Sequence, residues 1–335
     1  MTLTEDLNHV LMHTSGRWDG LRGQKIFITG GTGFVGKWLV ESFGYINKRL
    51  DLNARALLLT RNPDRVQVNH SAIQTLKGDV RSFVYPDGEF AFVIHAATEQ
   101  GHGPGNFELD IQATKHVLEF ARTHGTRRFL FTSSGAVYGK QPSNLTHITE
   151  DYPGAPSTVD LNSAYGHAKR ASEFLSSIYA QQFGFSTILA RLFAFAGPYL
   201  PLDLNFAIGN FIRDVLAGGP IRIAGDGTPF RSYLYAADLA IWLWTLLIRG
   251  ESSRPYNVGS GQDLSIADLA RAVVQNTVPG TQIEIARQPG GAPPSRYVPC
   301  VDRARIELGL TPLVPLDEAI RRMYKWNQAQ RHSEI

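Results

Sequence analysis

The sequence predicts a doubly wound α/β fold: a parallel sheet covered by helices on both faces, with a smaller C-terminal α/β lobe. Three observations carry that expectation. Short, nearly unbroken apolar runs alternate with helix-spaced segments through the first half of the chain, which is the pattern of a sheet buried on both faces. A glycine-rich turn joins the first apolar run to the first long helix. After Ala196–Pro201 the alternation gives way to shorter elements punctuated by Pro and Gly.

Composition bounds the function. The chain has 335 residues, 43% hydrophobic and 19% charged, enough for a substantial core. A net charge of +3 from scattered Lys and Arg offers no counterion-releasing surface, so nucleic acid is not an expected partner. Cys300 is the only cysteine; this excludes an intrachain disulfide and a cysteine zinc cluster, fits a reducing cytoplasmic setting, and leaves no metal site expected. The N-terminal segment carries early acids and no long apolar core, so it does not read as a signal peptide. Ala236–Ile248 is the most apolar stretch, but it is shorter than the roughly 20 residues a bilayer span needs and contains Asp238. It reads as a buried helix, and no membrane partner is expected.

Taken in order, residues 1–23 form an extension, expected as an accessory surface helix. Strands are expected at Lys25–Thr29, Arg55–Leu59, Phe92–His95, Arg128–Ser133 and Thr187–Leu192, with amphipathic helices at Phe34–Phe43, Phe107–Thr123 and Ala164–Phe183. A dinucleotide-binding unit spans 24–197 and is completed by a returning strand near 256–258. Residues 198–335 are mainly a discontinuous substrate lobe, with short strands such as Ile221–Ile223 and Ile283–Ile285.

The turn in "KIFITGGTGFVGKWLV" presents Gly30, Gly31, Thr32, Gly33, Phe34, Val35 and Gly36 between strand and helix. Glycines allow a tight turn, backbone approach to a pyrophosphate and close helix–strand packing, with the anion on the helix N-terminus. This is a Rossmann-type cofactor site. At the end of the second strand, where an acid usually meets the ribose of NAD, "ALLLTRNP" offers Thr60 and Arg61. A guanidinium there suits a 2′-phosphate, so NADP(H) is favoured and NAD(H) is the alternative. Asp79 and Val80, in "LKGDV", are candidates for the adenine; Ala96, Ala97 and Thr98, in "FVIHAAT", are small enough to let the cofactor pass.

Tyr165 and Lys169, in "SAYGHAKRASE", stand one helical turn apart on one face. An ammonium beside a phenol favours the phenolate and would bring tyrosine from its usual value near 10 toward working pH as a general acid or base. Upstream, "RFLFTSSGAVYG" places Ser134 at a strand's carboxyl end, where α/β sheets bind ligands and a hydroxyl can bond a substrate oxygen. The order of glycine turn, "TSS" and Tyr-Lys gives these residues a common chemistry.

From the glycine turn through "TSSGAVYG", "SAYGHAK", "GDGTPFRSYLYAADLA", "YNVGSG" and "RARIELGL", the chain resembles the nucleotide-sugar epimerase/dehydratase branch of the extended short-chain dehydrogenases. The resemblance implies Tyr165 as acid/base, Lys169 as ribose ligand and tuner of Tyr165, and Ser134 and Gly135 at the substrate. It also implies a nucleotide-sugar substrate, with Arg231 and Arg296 clamping a diphosphate and Asn210 on the nucleotide side. Homodimerisation through a four-helix interface of 107–123 and 164–183 is a further implication.

Departures refine the reading. Gly135 and Ala136 stand where 4,6-dehydratases of this type carry an Asp-Glu pair, so dehydration is disfavoured. Ala194 replaces an expected Asn near the sugar, and His167 between Tyr165 and Lys169 is expected to face elsewhere. Arg61 tilts the expectation toward NADPH-dependent reduction of a nucleoside-diphosphate 4-keto-6-deoxyhexose. A 4-epimerase with retained cofactor, and a reductase of a non-sugar carbonyl, are the alternatives.

Overall fold

The structure is a computed structural model, and it describes residues 2–66, 70–98 and 105–333. The first half runs α1 (Leu3–His13), β1 (Lys25–Thr29), α2 (Phe34–Arg49), β2 (Arg55–Thr60), β3 (Ile73–Lys77), β4 (Phe92–His95), α3 (Asn106–Thr123), β5 (Arg128–Ser134), α4 (Ala164–Phe183) and β6 (Ser186–Leu192). After β7 (Phe195–Ala196) come α5 (Ala207–Leu216), β8 (Ile221–Ile223), β9 (Phe230–Ser232), β10 (Leu234–Tyr235) and α6 (Ala236–Arg249). The chain ends with β11 (Pro255–Val258), β12 (Asp263–Ser265), α7 (Ile266–Asn276), β13 (Ile283–Ile285), β14 (Arg296–Tyr297), α8 (Asp302–Leu308) and α9 (Leu316–Ser333).

Seven strands form one parallel sheet in the order β11-β6-β5-β4-β1-β2-β3, the Rossmann-type arrangement expected. The order reverses between β1 and β4, and in such sheets ligands bind at that switch point, beyond the strands' carboxyl ends. All four residues of β4 are buried, as helices on both faces require. The late strand β11 pairs with β6 at the sheet's edge. The helix expected at Phe34–Phe43 continues to Arg49, because Ile46 stays buried and Lys48 and Arg49 suit the negative end of the helix dipole.

The apolar stretch is α6, in which Ala236–Leu247 are all buried. It is the centre of the molecule rather than a membrane segment, and among the described residues no helix is long and apolar enough to cross a bilayer. The N-terminal helix α1 is fastened to it by polar contacts. His9 Nε2 meets Asp238 Oδ1 at 3.0 Å, and the buried Asp6 carboxylate accepts from Tyr235 Oη at 2.6 Å and Arg322 Nη1 at 2.8 Å. Asn8 accepts from Tyr45 on α2, so the extension bridges α2, α6 and α9.

Candidate active site

At the turn after β1, Gly30 has φ +76°, and a side-chain carbon there would lie 2.5 Å from the Ala96 carbonyl carbon and 2.6 Å from the Ala97 nitrogen. A carbon on Gly36 would lie 2.1 Å from the Gly30 oxygen. Both positions are therefore restricted to glycine by backbone crossing. Gly33, which caps α2, is exposed, and a carbon there would meet nothing closer than the Gly30 oxygen at 3.5 Å. The turn thus leaves open space in front of a helix N-terminus, which fits a pyrophosphate. Phe34 and Val35 pack against the core and can offer this site backbone N–H groups, while a side-chain carbon on Gly31 would lie 3.5 Å from Leu58 and Val40.

A cleft of about 320 Å³ runs from this turn past Thr32, Thr60, Arg61, Asp79 and Val80 on one side and Ala96, Ala97 and Thr98 on the other. The Thr60 hydroxyl bonds the backbone of Asn62 as both donor and acceptor at 3.2 Å, shaping the turn that carries Arg61. Asp79 is held by Arg81 in two-pronged fashion, Nε–Oδ1 2.7 Å and Nη2–Oδ2 2.6 Å. That bond, with help from Arg61, draws the Asp79 carboxyl down to about 2. A carboxylate has about four lone-pair sites, so Asp79 keeps capacity for another donor. Arg81 thereby holds a second guanidinium beside Asp79.

Beyond the carboxyl end of β5, three hydroxyls gather. Ser134 Oγ, at the end of β5, accepts from the Ala136 nitrogen at 3.1 Å and stands 3.4 Å from Tyr297 Oη. Tyr165 is adjacent to both, bonded to Ser134. Lys169 is buried; its ammonium lies 5.7 Å from the centre of the Tyr165 ring and donates to the Thr132 carbonyl at 3.1 Å. Burial pushes the Tyr165 phenol above its ordinary value, and the Ser134 contact opposes this only in part. The expected lowering by Lys169 is therefore not what governs the free protein: desolvation wins, and Tyr165 is a neutral phenol ready to donate a proton. Burial likewise lowers Lys169 to about 8, against the pull of Asp110 and Glu173.

The expected clamp of two arginines is corrected here. Arg231 and Tyr297 are register partners on β9 and β14, and the guanidinium lies 5.9 Å from the Tyr297 ring centre, on the face of the hydroxyl cluster. Arg296 precedes Tyr297 in the strand, so it points to the opposite face. There it is 4.1 Å from the Phe230 ring centre and ion-paired to Asp263 at 2.5 Å. The two arginines therefore cannot clamp one diphosphate from opposite sides in this arrangement. Asn210 is half-buried on α5 and engages Arg213 at 3.4 Å. His167 bonds the Ser157 carbonyl at 3.1 Å, away from the cluster. A carbon on Gly135 would lie 2.7 Å from the Phe193 ring and 2.8 Å from Tyr297 Oη, so the room a side chain would need is already filled.

A family model, described as the NAD dependent epimerase/dehydratase family, matches residues 26–259. The chain belongs to this family. Among curated relatives, UDP-glucuronic acid decarboxylase 6 of Arabidopsis thaliana is 28% identical over 303 residues, covering 88% of this chain and 86% of that protein. UDP-glucose 4-epimerase of Corynebacterium glutamicum is 28% identical over 312 residues, covering 86% and 91%. The fold is that of UDP-glucose 4-epimerase from Thermotoga maritima, solved with UDP-glucose, at a TM-score of 0.78 and 18% identity over 92% of this chain and 100% of that one.

As a member of the NAD-dependent epimerase/dehydratase family, the chain is an enzyme of the extended short-chain dehydrogenase type. Three residues of its site escape sequence reasoning. Tyr297 reaches Ser134 only through the parallel pairing of β14 with β9. Arg81 declares itself only as a partner of Asp79. Asp110 looks like an ordinary polar residue of an amphipathic helix but is buried against the cleft. Among the described residues no group of three His, Cys, Asp or Glu side chains could hold a metal.

In the cofactor-free enzyme, the Lys169 ammonium should lose its proton close to pH 8, being charged below and neutral above. Carbon-13 NMR of dimethylated or isotope-labelled lysine, assigned with Lys169→Met, would read the midpoint; a value near 10.5 would contradict the burial argument.

Proposed function

We propose that this enzyme moves a hydride reversibly at a ring carbon of a nucleoside-diphosphate sugar, and that its net reaction is 4-epimerisation with retained cofactor. The observation that carries the reading is the Ser134–Tyr165–Tyr297 hydroxyl cluster, with Lys169 behind it and no carboxylate at Gly135 or Ala136. When bound, the dinucleotide supplies the hydride acceptor and donor. As phenolate, stabilised by the Lys169 ammonium, Tyr165 would accept the proton of the sugar hydroxyl as hydride leaves and, as phenol, return it when hydride comes back; Ser134 would orient the oxygen and Lys169 would also hold the cofactor ribose. Glycine and alanine offer no second acid or base, so elimination of water has no agent. The 4-epimerase and decarboxylase relatives, each named for a UDP-sugar, support the substrate class.

In this proposal the unit spanning 24–197, with β11, holds the cofactor, and 198–335 holds the substrate. Arg231 takes the phosphate role, while Arg296 braces β14 from behind. Reduction of a 4-keto-6-deoxyhexose by NADPH, the first expectation from Arg61, becomes the second reading. What favours it is the placement of Arg61 and Asp79 on the cleft wall with Arg81 paired to Asp79, where two guanidinium groups would attract a 2′-phosphate. A homodimer belongs to the same proposal: Phe107 on α3 and Phe174 and Phe183 on α4 expose apolar surface along the pair of packed helices, Phe174 at 71%. A cytoplasmic location rests on the single cysteine.

Incubation with a panel of nucleotide sugars and 4-keto intermediates, followed by product NMR, separates the readings. Isomer formation without net cofactor oxidation is expected; stoichiometric NADPH consumption would replace it with the reductase, and turnover of a non-sugar carbonyl alone would overturn the substrate class. Tyr165→Phe should cut turnover by about 10²- to 10⁴-fold while cofactor binding survives. Arg61→Ala should weaken NADPH about tenfold or more and spare NADH, read by fluorescence titration; equal loss for both would remove the 2′-phosphate role. Phe174→Glu should shift the protein to monomer in light scattering, whereas an unchanged mass would place the interface elsewhere.

A further inference from the structure

Asp110 has no part in the chemistry above, yet it is 5% exposed and lies on the wall of the cofactor cleft beside Ala97 and Thr98. Its carboxylate accepts from Thr98 Oγ1, at 3.0 Å for one oxygen and 3.3 Å for the other. Its place along the cleft follows from helix register. Helices α3 and α4 each return between neighbouring parallel strands, so they run in the same direction and pack side by side. Thr114 on α3 donates to Ser172 on α4 at 3.0 Å, and that bond fixes their register. One turn toward the N-terminus, α3 presents Asp110 and α4 presents Lys169, so the carboxylate stands at the level of the Tyr165–Lys169 pair.

We propose that Asp110 is an electrostatic positioning residue: its buried carboxylate balances the Lys169 charge and biases the bound dinucleotide toward its oxidised form. The reduced and oxidised nicotinamide differ by one positive charge. A pocket holding the Lys169 ammonium alone would repel the oxidised ring; a pocket holding an ammonium and a carboxylate does not.

The other groups facing this point leave Asp110 as the balancing charge among the described residues. Glu173 is nearby on α4, but both its oxygens are taken by Arg191, at 2.9 and 2.7 Å. His95, at the end of β4, is fully buried between Thr29 and Thr114; burial and Lys169 hold it down to about 3, so it is neutral. Tyr165 and Tyr297 are neutral phenols, both pushed up by burial. The field of Asp110 reaches both members of the catalytic pair, favouring the charged Lys169 and the protonated Tyr165. For an enzyme that begins by oxidising its sugar, this keeps the cofactor in its hydride-accepting form, while the Lys169 charge that Asp110 maintains offsets its opposition to the Tyr165 phenolate. The inference itself needs only dinucleotide binding and holds for either reaction proposed above.

The test is the ratio of dissociation constants for the oxidised and reduced cofactor, measured by calorimetry and fluorescence on the full chain at pH 7 for both the NAD and NADP couples. Asp110→Asn keeps the shape and removes the charge. It should weaken the oxidised form relative to the reduced by about tenfold, equivalent to raising the two-electron potential of the bound couple by about 30 mV. Asp110→Glu should restore most of the ratio. If Asp110→Asn does not fold, Asp110→Ser is measured in its place. A ratio unchanged within twofold, or equal weakening of both forms as a purely structural role would give, overturns the proposal. Failure of the unaltered protein to bind any dinucleotide would instead sink the cofactor site itself, and this inference with it.

Discussion

The structure turns on one backbone crossing: Gly30 lies against Ala96 and Ala97 so closely that neither side can carry more than it does. The Ala96 nitrogen donates to the Thr29 carbonyl at 3.2 Å, and the Ala97 nitrogen donates to the Thr29 hydroxyl at the same distance. The carboxyl ends of β1 and β4 are thereby locked at the point where strand order reverses. The candidate site is arranged around that junction. The helix N-terminus is aimed by the turn above it, and β5 with Ser134 lies one strand further along. His95 at the end of β4 carries the same ordering inward, linking Thr29 to Thr114 and so to α3 and α4.

How much of this was legible in the sequence depended on the range of the interactions. The β1 and β4 strands, helix α4 and the glycine turn were readable because apolar spacing and glycine content act within a few residues. Ser134, Tyr165 and Lys169 were readable as a set because their order follows strand order. The opposed faces of Arg231 and Arg296 were not, since they depend on which residue of β14 pairs with which of β9, a register set by contacts across more than sixty positions. A shift of one residue would exchange the faces. Tyr297 was invisible for the same reason. Asp110 was hidden differently: a helix face that turns toward a cofactor cleft has the same polar composition as one that turns toward water.

Burial also revised the chemistry that spacing suggested. A tyrosine and a lysine one turn apart suggest mutual tuning, but in this site each is governed first by the water it has lost. Desolvation favours the neutral form of both, a phenol and an amine, so the charge needed for catalysis must come from neighbours. The site is therefore better described as a desolvated cluster of hydroxyls with a few fixed charges than as a pair of reactive side chains. Gly135 belongs to that description. Phe193 and Tyr297 occupy the space beside it that a longer side chain would need.

The fastening of α1 has a consequence for how the chain comes to be folded. Asp6 is buried among groups that include Arg322, which lies 316 residues further along. A carboxylate in such a place is costly to desolvate until its partner arrives. On the ribosome, Asp6 emerges 316 residues before its counterion in α9. Helix α1 must wait in water through synthesis of the whole sheet, and its docking follows the arrival of α9 rather than starting folding.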